Sequence, residues 1–142
     1  MMLTELNQAL ELRDNLAEFL QITLAQEEAG TLETAPAQNI AAELRLKWQS
    51  AAHHVRFISL AKQILARPEN APIAQTVLDK LAELAANFDS TEPEPLAGQW
   101  SNTYVLRIGE RRVIYNANRH ERWITVYLIG HDRELRKRQL VA

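Results

Sequence analysis

The last third of the chain reads as two or three adjacent strands that carry arginine, and this pattern constrains the fold more than any other feature. In residues 104–108, Val105 and Arg107 alternate with apolar or aromatic neighbours, residues 112–115 alternate likewise, and residues 123–131 add a third run. A period of two residues is typical of a strand with one buried and one exposed face. We therefore predict two or three adjacent strands that hold arginine side chains outward on a rigid sheet.

The charges are distributed unevenly along the chain. Residues 1–40 carry one basic and seven acidic side chains, a net charge of −6, whereas residues 100–142 carry nine basic and four acidic ones, a net charge of +5. Guanidinium groups on a rigid sheet suit phosphate or carboxylate ligands. The asymmetry predicts a basic surface for a polyanion, and the alternative is a pair of ordinary solvated faces.

Composition narrows the class of protein. With 142 residues, of which 46% are hydrophobic, one domain with an extension is expected. The chain has no cysteine, and its four histidines do not follow a metal-ligand spacing, so we expect neither a metal nor another cofactor. No run of eighteen apolar residues and no secretion signal is visible, which predicts a cytoplasmic protein without a membrane span.

The acidic N-terminal segment is predicted to form a unit of its own. Residues 3–28 have the spacing of an amphipathic helix, Gly30 stands where a helix would end, and residues 30–37 have the composition of a linker. We expect residues 1–40 to form a helical extension and residues 41–142 to form the main domain. The extension has three interpretations: an extra helix packed on the core, a helix that forms a homodimer, or a cover over the arginine face.

Two further helical regions lie in the middle of the chain. Residues 38–66 keep a helical period and predict either one long helix or a helix that ends near His53, followed by a short strand at residues 54–58. Residues 72–88 predict a helix, with Pro72 in its first turn.

Four motifs, in this order, resemble the RelE/ParE superfamily of bacterial toxins, and the RelE branch more than the ParE branch. They are Pro95-Leu96-Ala97-Gly98, residues 104–109, residues 112–115 and residues 128–131. The resemblance covers residues 54–135 and favours a strand at 54–58. It implies two helices packed on a twisted, mainly antiparallel sheet. The chain as a whole is thus predicted to be α+β, with N-terminal helices on a C-terminal antiparallel sheet and an extra N-terminal helix.

The resemblance also implies a function. RelE-type toxins of toxin–antitoxin systems cut mRNA at the ribosome without a metal, using the RNA 2′-hydroxyl as nucleophile, and a cognate antitoxin blocks them. By position, Arg107, Arg112 and His131 fall on catalytic positions, with Arg112 the strongest candidate for transition-state stabilisation. The remaining basic residues predicted to bind RNA are Arg111, Arg133, Arg136, Lys137 and Arg138.

Three positions depart from the RelE pattern. Val105 stands where potent RelE nucleases have lysine, Asp132 follows His131 where many members have arginine, and no tyrosine follows in the tail. A carboxylate beside a phosphate repels it. The sequence therefore predicts a toxin-like mRNA endoribonuclease of weak or degenerate activity. The alternatives are a non-catalytic module that binds protein or RNA and, less favoured, a ParE-like gyrase inhibitor.

Overall fold

The computed structural model describes residues 16–49, 53–96, 100 and 102–137. The chain divides into two compact units, residues 1–32 and 33–142. The boundary expected at residue 40 falls inside a helix of the second unit, Ala37–Glu43. Within the described ranges, no helix has the length and apolarity needed to cross a membrane.

The first unit contains helix α1, Leu16–Ala29. The helix ends at Gly30, which has φ +72° and adopts the left-handed conformation that glycine tolerates. The Gly30 N–H donates to the Glu27 carbonyl at 3.2 Å, and the Thr31 N–H donates to the Gln26 carbonyl at 3.0 Å, which together form a Schellman motif. The predicted stop at Gly30 is confirmed, and residues 3–15 of the predicted helix lie outside the described residues.

The second unit is built around one sheet. In chain order its elements are β1 (Thr34–Pro36), α2 (Ala37–Glu43), β2 (His54–Ile58), α3 (Ser59–Leu65), α4 (Ala71–Asn87), β3 (Glu94–Pro95), β4 (Thr103–Ile108), β5 (Arg111–Asn118), β6 (Trp123–His131) and α5 (Asp132–Lys137). The six strands lie in the order β1-β2-β6-β5-β4-β3. Only β2 and β6 pair in parallel; the other neighbours are antiparallel. The predicted α+β class with a mainly antiparallel sheet is confirmed.

Residues 38–66 do not form one continuous helix, so that interpretation is wrong. The strand at 54–58 is confirmed, but α2 ends at Glu43 and not near His53 as the alternative predicted. Helix α2 ends because Arg45 adopts φ 57°. The Leu46 N–H then donates to the Ala41 carbonyl at 2.7 Å, closing a Schellman motif like that of α1 but with arginine in place of glycine. Pairing with β6 fixes residues 54–58 as a strand, which shows tertiary context overriding a local helical period.

Helices α3 and α4 carry the chain from β2 to the antiparallel strands. Helix α4 contacts both β2 and β4, and α3 contacts β2 and β6. The predicted helix at 72–88 is confirmed, with Pro72 in its first turn and a buried face that includes Val77, Leu81 and Leu84. Parallel strands need a long connection, and here the chain passes from β2 to β6 through these two helices and then β3 to β5.

Strands β5 and β6 are buried along most of their length on both faces, contrary to the predicted pattern of one buried and one exposed face. Arg112 to Ala117 are all buried, and so are Ile124 to Ile129. The prediction that Arg112 points outward is therefore wrong, since only 7% of this residue is exposed. The reason is its position: β5 lies inside the sheet between β4 and β6, whereas Arg107 on β4 lies nearer the edge and is exposed.

Candidate anion-binding site

Arg107 and Arg112 lie directly opposite each other on β4 and β5. A tight turn at Gly109 and Glu110 joins the two strands, and Gly109 has φ +58°. Because successive side chains of a strand alternate between the two faces of a sheet, residues opposite each other share one face. The fold thus brings together the two arginines that the sequence predicts as phosphate contacts.

Glu94 on β3 holds Arg107. Nε and Nη2 of Arg107 donate to the two carboxylate oxygens of Glu94 at 2.7 and 2.9 Å. This bidentate geometry is the strongest form of the arginine–carboxylate pair, although both side chains are about 40% exposed. The hydrogen bond from Arg107 lowers the pKa of the Glu94 carboxyl, with burial opposing and the charges of Arg107 and Arg112 adding to the effect.

Arg112 is held from two sides. Its Nη1 donates to the backbone carbonyls of Gly109 and Arg111 at 2.7 and 2.8 Å. Its Nε lies 3.2 Å from a carboxylate oxygen of Asp132, the first residue of α5. The side chain therefore ties the β4–β5 turn to the start of α5.

Asp132 is the residue on which several of these contacts converge. Its second carboxylate oxygen accepts a hydrogen bond from Arg136 Nε at 2.7 Å, and its backbone N–H donates to the Glu110 carbonyl at 2.8 Å. Burial alone would raise the pKa of the Asp132 carboxyl. The Arg136 hydrogen bond and the charges of Arg112, Arg136 and Arg107 outweigh burial, so the pKa is lowered.

These groups form one coupled cluster, which we call the arginine cluster: Arg107, Arg112 and Arg136 with Glu94 and Asp132. The charge of Arg112 also lowers the pKa of Glu94, and the charge of Arg107 also lowers the pKa of Asp132. Three guanidinium groups facing two carboxylates leave one excess positive charge. This excess charge suits an anion, and any anion would compete with carboxylates that are already in place.

His131, the third predicted catalytic residue, lies opposite Arg111, so the two share the face away from Arg107 and Arg112. Its Nδ1 accepts the Arg133 backbone N–H at 3.2 Å, and its Nε2 lies 3.2 Å from the Glu110 carboxylate. With Nδ1 accepting, the ring proton of the neutral imidazole sits on Nε2 and points to Glu110. The fold therefore does not bring His131 to the arginine pair.

The other residues predicted to bind RNA surround this end of the sheet. Arg111 is half-buried, and Arg133 and Arg136 are exposed on α5. Lys137 ends α5, and Arg138 lies outside the described residues. Val105, where the RelE pattern has lysine, is a buried core residue that is 4% exposed.

Sequence reasoning missed Glu94, and it missed Glu110 as the partner of His131. Glu94 is thirteen residues from its partner Arg107, and Glu110 is twenty-one from His131. The only available signal for Glu94 was its place just before the Pro95-Leu96 motif, which a β3–β4 hairpin would bring beside Arg107.

A second polar cluster lies where the N-terminal end of β2 meets the loop after α4. His53 is 2% exposed, and neither ring nitrogen has a hydrogen-bond partner in the part of the chain that is described. Its Nε2 lies 3.7 Å from Asp89, which also pairs with Arg122 at 3.2 Å. Burial lowers the pKa of His53, the charges of Arg122 and Arg119 lower it further, and Asp89 opposes them. Among the described residues, no group of three histidines or acids is placed to hold a metal ion.

No family model and no curated protein matches this chain. The solved structures similar to it include a chain in the crystal structure of the toxin–antitoxin complex RelBE2 from Mycobacterium tuberculosis. That chain is 21% identical, with a TM-score of 0.43, over 54% of this chain and 94% of the other.

Proposed function

We propose that this protein is a RelE-type, toxin-like protein that binds RNA through the arginine cluster and cleaves it weakly or not at all. The observation that carries the proposal is the pair Arg107 and Arg112, side by side on one face and each held by a carboxylate. The resemblance to RelE-type toxins implies a phosphate contact at Arg107 and transition-state stabilisation at Arg112. Two neighbouring guanidinium groups suit a phosphodiester, because each presents several donors in a fixed plane.

The same geometry argues against efficient cleavage. Metal-independent cleavage needs a base to take the proton from the RNA 2′-hydroxyl and cations to stabilise the charge that develops on the phosphate. His131 lies on the other face, and its Nδ1 already accepts the Arg133 N–H. Two of the donor contacts of Arg112 go to backbone carbonyls. His131 as the base and Arg112 as the stabilising cation are therefore not arranged to act together on one phosphate.

The proposal extends to partners. The resemblance points to mRNA at the ribosome as the RNA and to an antitoxin as a protein partner. The first unit, with its acidic helix α1, retains its three predicted roles of core packing, homodimer formation or covering of the basic face.

Two assays test the proposal on the full chain. Fluorescence anisotropy with a labelled single-stranded RNA measures binding, and we expect the affinity to fall with salt at a log–log slope of about 0.7 per phosphate contact. Arg107→Ala should weaken binding, whereas Lys80→Ala, which removes an equal charge from α4 far along the chain from the cluster, serves as the control.

The second assay follows a labelled mRNA on programmed ribosomes in the presence of EDTA. We expect little or no cleavage. Products with 2′,3′-cyclic phosphate ends that disappear in Arg112→Ala would instead establish the endoribonuclease. If the wild-type chain fails to bind RNA at low salt, the RNA-binding proposal is wrong.

A further inference from the structure

The Asp132 carboxylate lies on the same face of the sheet as the arginine pair. Arg112 is opposite Gly130 on β6, and Asp132 follows two residues further on as the first residue of α5. One oxygen of Asp132 faces Arg112 Nε at 3.2 Å, and the charge of Arg107 also acts on this carboxylate. The Asp132 carboxylate therefore already contacts Arg112 and interacts electrostatically with Arg107, as a bound phosphate would.

We propose that Asp132 is an internal occupant of the anion site formed by Arg107 and Arg112, and that a phosphodiester binds there only by displacing it. The inference rests on the proposed function and adds its regulation: affinity for RNA is set by how firmly α5 holds Asp132 against Arg112. Glu94, on β3 at the edge of the sheet, likewise occupies Arg107 by accepting two hydrogen bonds from it.

The contacts of α5 make such a displacement feasible. The helix has six residues, and a helix this short depends on its tertiary contacts. Leu135, 2% exposed, packs over Gly130, where an added Cβ would lie 3.4 Å from the leucine side chain. When Asp132 leaves Arg112, it keeps its bond to Arg136 one turn along the same helix. The displaced carboxylate therefore remains paired, which lowers the cost of releasing Arg112.

A phosphate releases Arg112 from Asp132 by competing with the carboxylate, and protonation of Asp132 is not needed. The neighbouring arginines keep Asp132 ionised at neutral pH, since they lower its pKa. A divalent or polymeric phosphate has more negative charge than one carboxylate and can contact both guanidinium groups at once. A single chloride or acetate ion lacks this advantage.

The test compares two variants that remove the same charge from the same helix, Asp132→Asn and Glu134→Gln. Thermal melting of the full chain with and without inorganic pyrophosphate reports occupation of the site, and RNA anisotropy reports the proposed function. We expect Asp132→Asn to raise the affinity for both ligands about tenfold, because an opposing unit charge is removed at contact distance. Glu134 is exposed on the same helix, so Glu134→Gln should change affinity about twofold or less, because solvent screens its charge.

Glu94→Gln is a second variant that protects the test against misfolding, because Glu94 is exposed at the sheet edge. It should raise pyrophosphate affinity in the same direction as Asp132→Asn. The inference is overturned if Asp132→Asn and Glu134→Gln behave alike, or if neither Asp132→Asn nor Glu94→Gln gains affinity for pyrophosphate. If the pyrophosphate gain appears and no form of the chain binds RNA, the internal occupant stands and the RNA function fails.

Discussion

Replacing Arg112 with leucine separates a structural arginine from a ligand-binding one. The substitution removes two charge-assisted hydrogen bonds to the carbonyls of Gly109 and Arg111 and leaves Asp132 without its buried partner. Removing one member of a buried ion pair costs about 3–5 kcal/mol. Because Asp132 is 19% exposed and keeps Arg136, we expect the lower end, about 3 kcal/mol. For a chain of this size that lowers Tm by about 6–12 °C.

Arg107→Leu is the matched control, because the same type of side chain is removed one strand away. Arg107 is 41% exposed, and water screens exposed ion pairs, so Arg107→Leu should lower stability much less than Arg112→Leu. Urea denaturation and thermal melting of both variants measure the difference. If Arg112→Leu unfolds within about 0.5 kcal/mol of the wild type while RNA binding is lost, Arg112 is not a clamp for the turn and the reasoning from its buried contacts is wrong.

Three further changes probe the fold. Arg45→Gly should stabilise the second unit by about 0.5–1 kcal/mol in urea denaturation, since Arg45 has φ 57° at the end of α2; a loss would show that the arginine side chain stabilises this end. Gln75→Ala should cost about 1 kcal/mol in the same assay, because the Gln75 amide bonds both the N–H and the carbonyl of Lys47, and an unchanged midpoint would contradict this. Burial lowers the pKa of His53 below its ordinary value of 6.5, so the unfolded chain takes up a proton that the folded chain does not. Stability should therefore fall as pH drops below about 6.5, less steeply in His53→Leu; equal slopes would contradict a buried neutral imidazole.

The elements of the second unit were largely predictable, and the reasons are local. Strands β4 to β6 were predicted from their runs of apolar and β-branched residues, although β5 and β6 lack the exposed face that alternation implies. Helix α4 follows from its periodic face and from Pro72. The end of α2 was not predictable, because arginine rather than glycine takes the left-handed conformation at residue 45. Strand β2 was predictable only as one of two alternatives, since its helical period is overridden by pairing with β6, about seventy residues later.

The candidate site was predictable in its residues and not in its geometry. The sequence places Arg107 and Arg112 on neighbouring strands, and the structure puts them opposite each other. The sequence does not reveal that β5 lies inside the sheet, which buries Arg112. It also does not reveal that His131 lies on the other face of the sheet. Both facts depend on strand order and register, and a shift of register by one residue exchanges the two faces.

The same distinction explains why net charge overstated the basic character of this end of the sheet. Residues 100–142 have a net charge of +5, which predicts a strong field for a polyanion. Glu94 lies outside that window and yet pairs with Arg107, while Asp132 lies inside it and neutralises the most buried arginine. A guanidinium group that already holds a carboxylate at 2.7–3.2 Å attracts a distant phosphate much less than its formal charge suggests. On the proposal that Asp132 occupies the anion site, affinity depends on displacing the site's own acids, so the effect of Asp132→Asn measures how much of the formal charge is available.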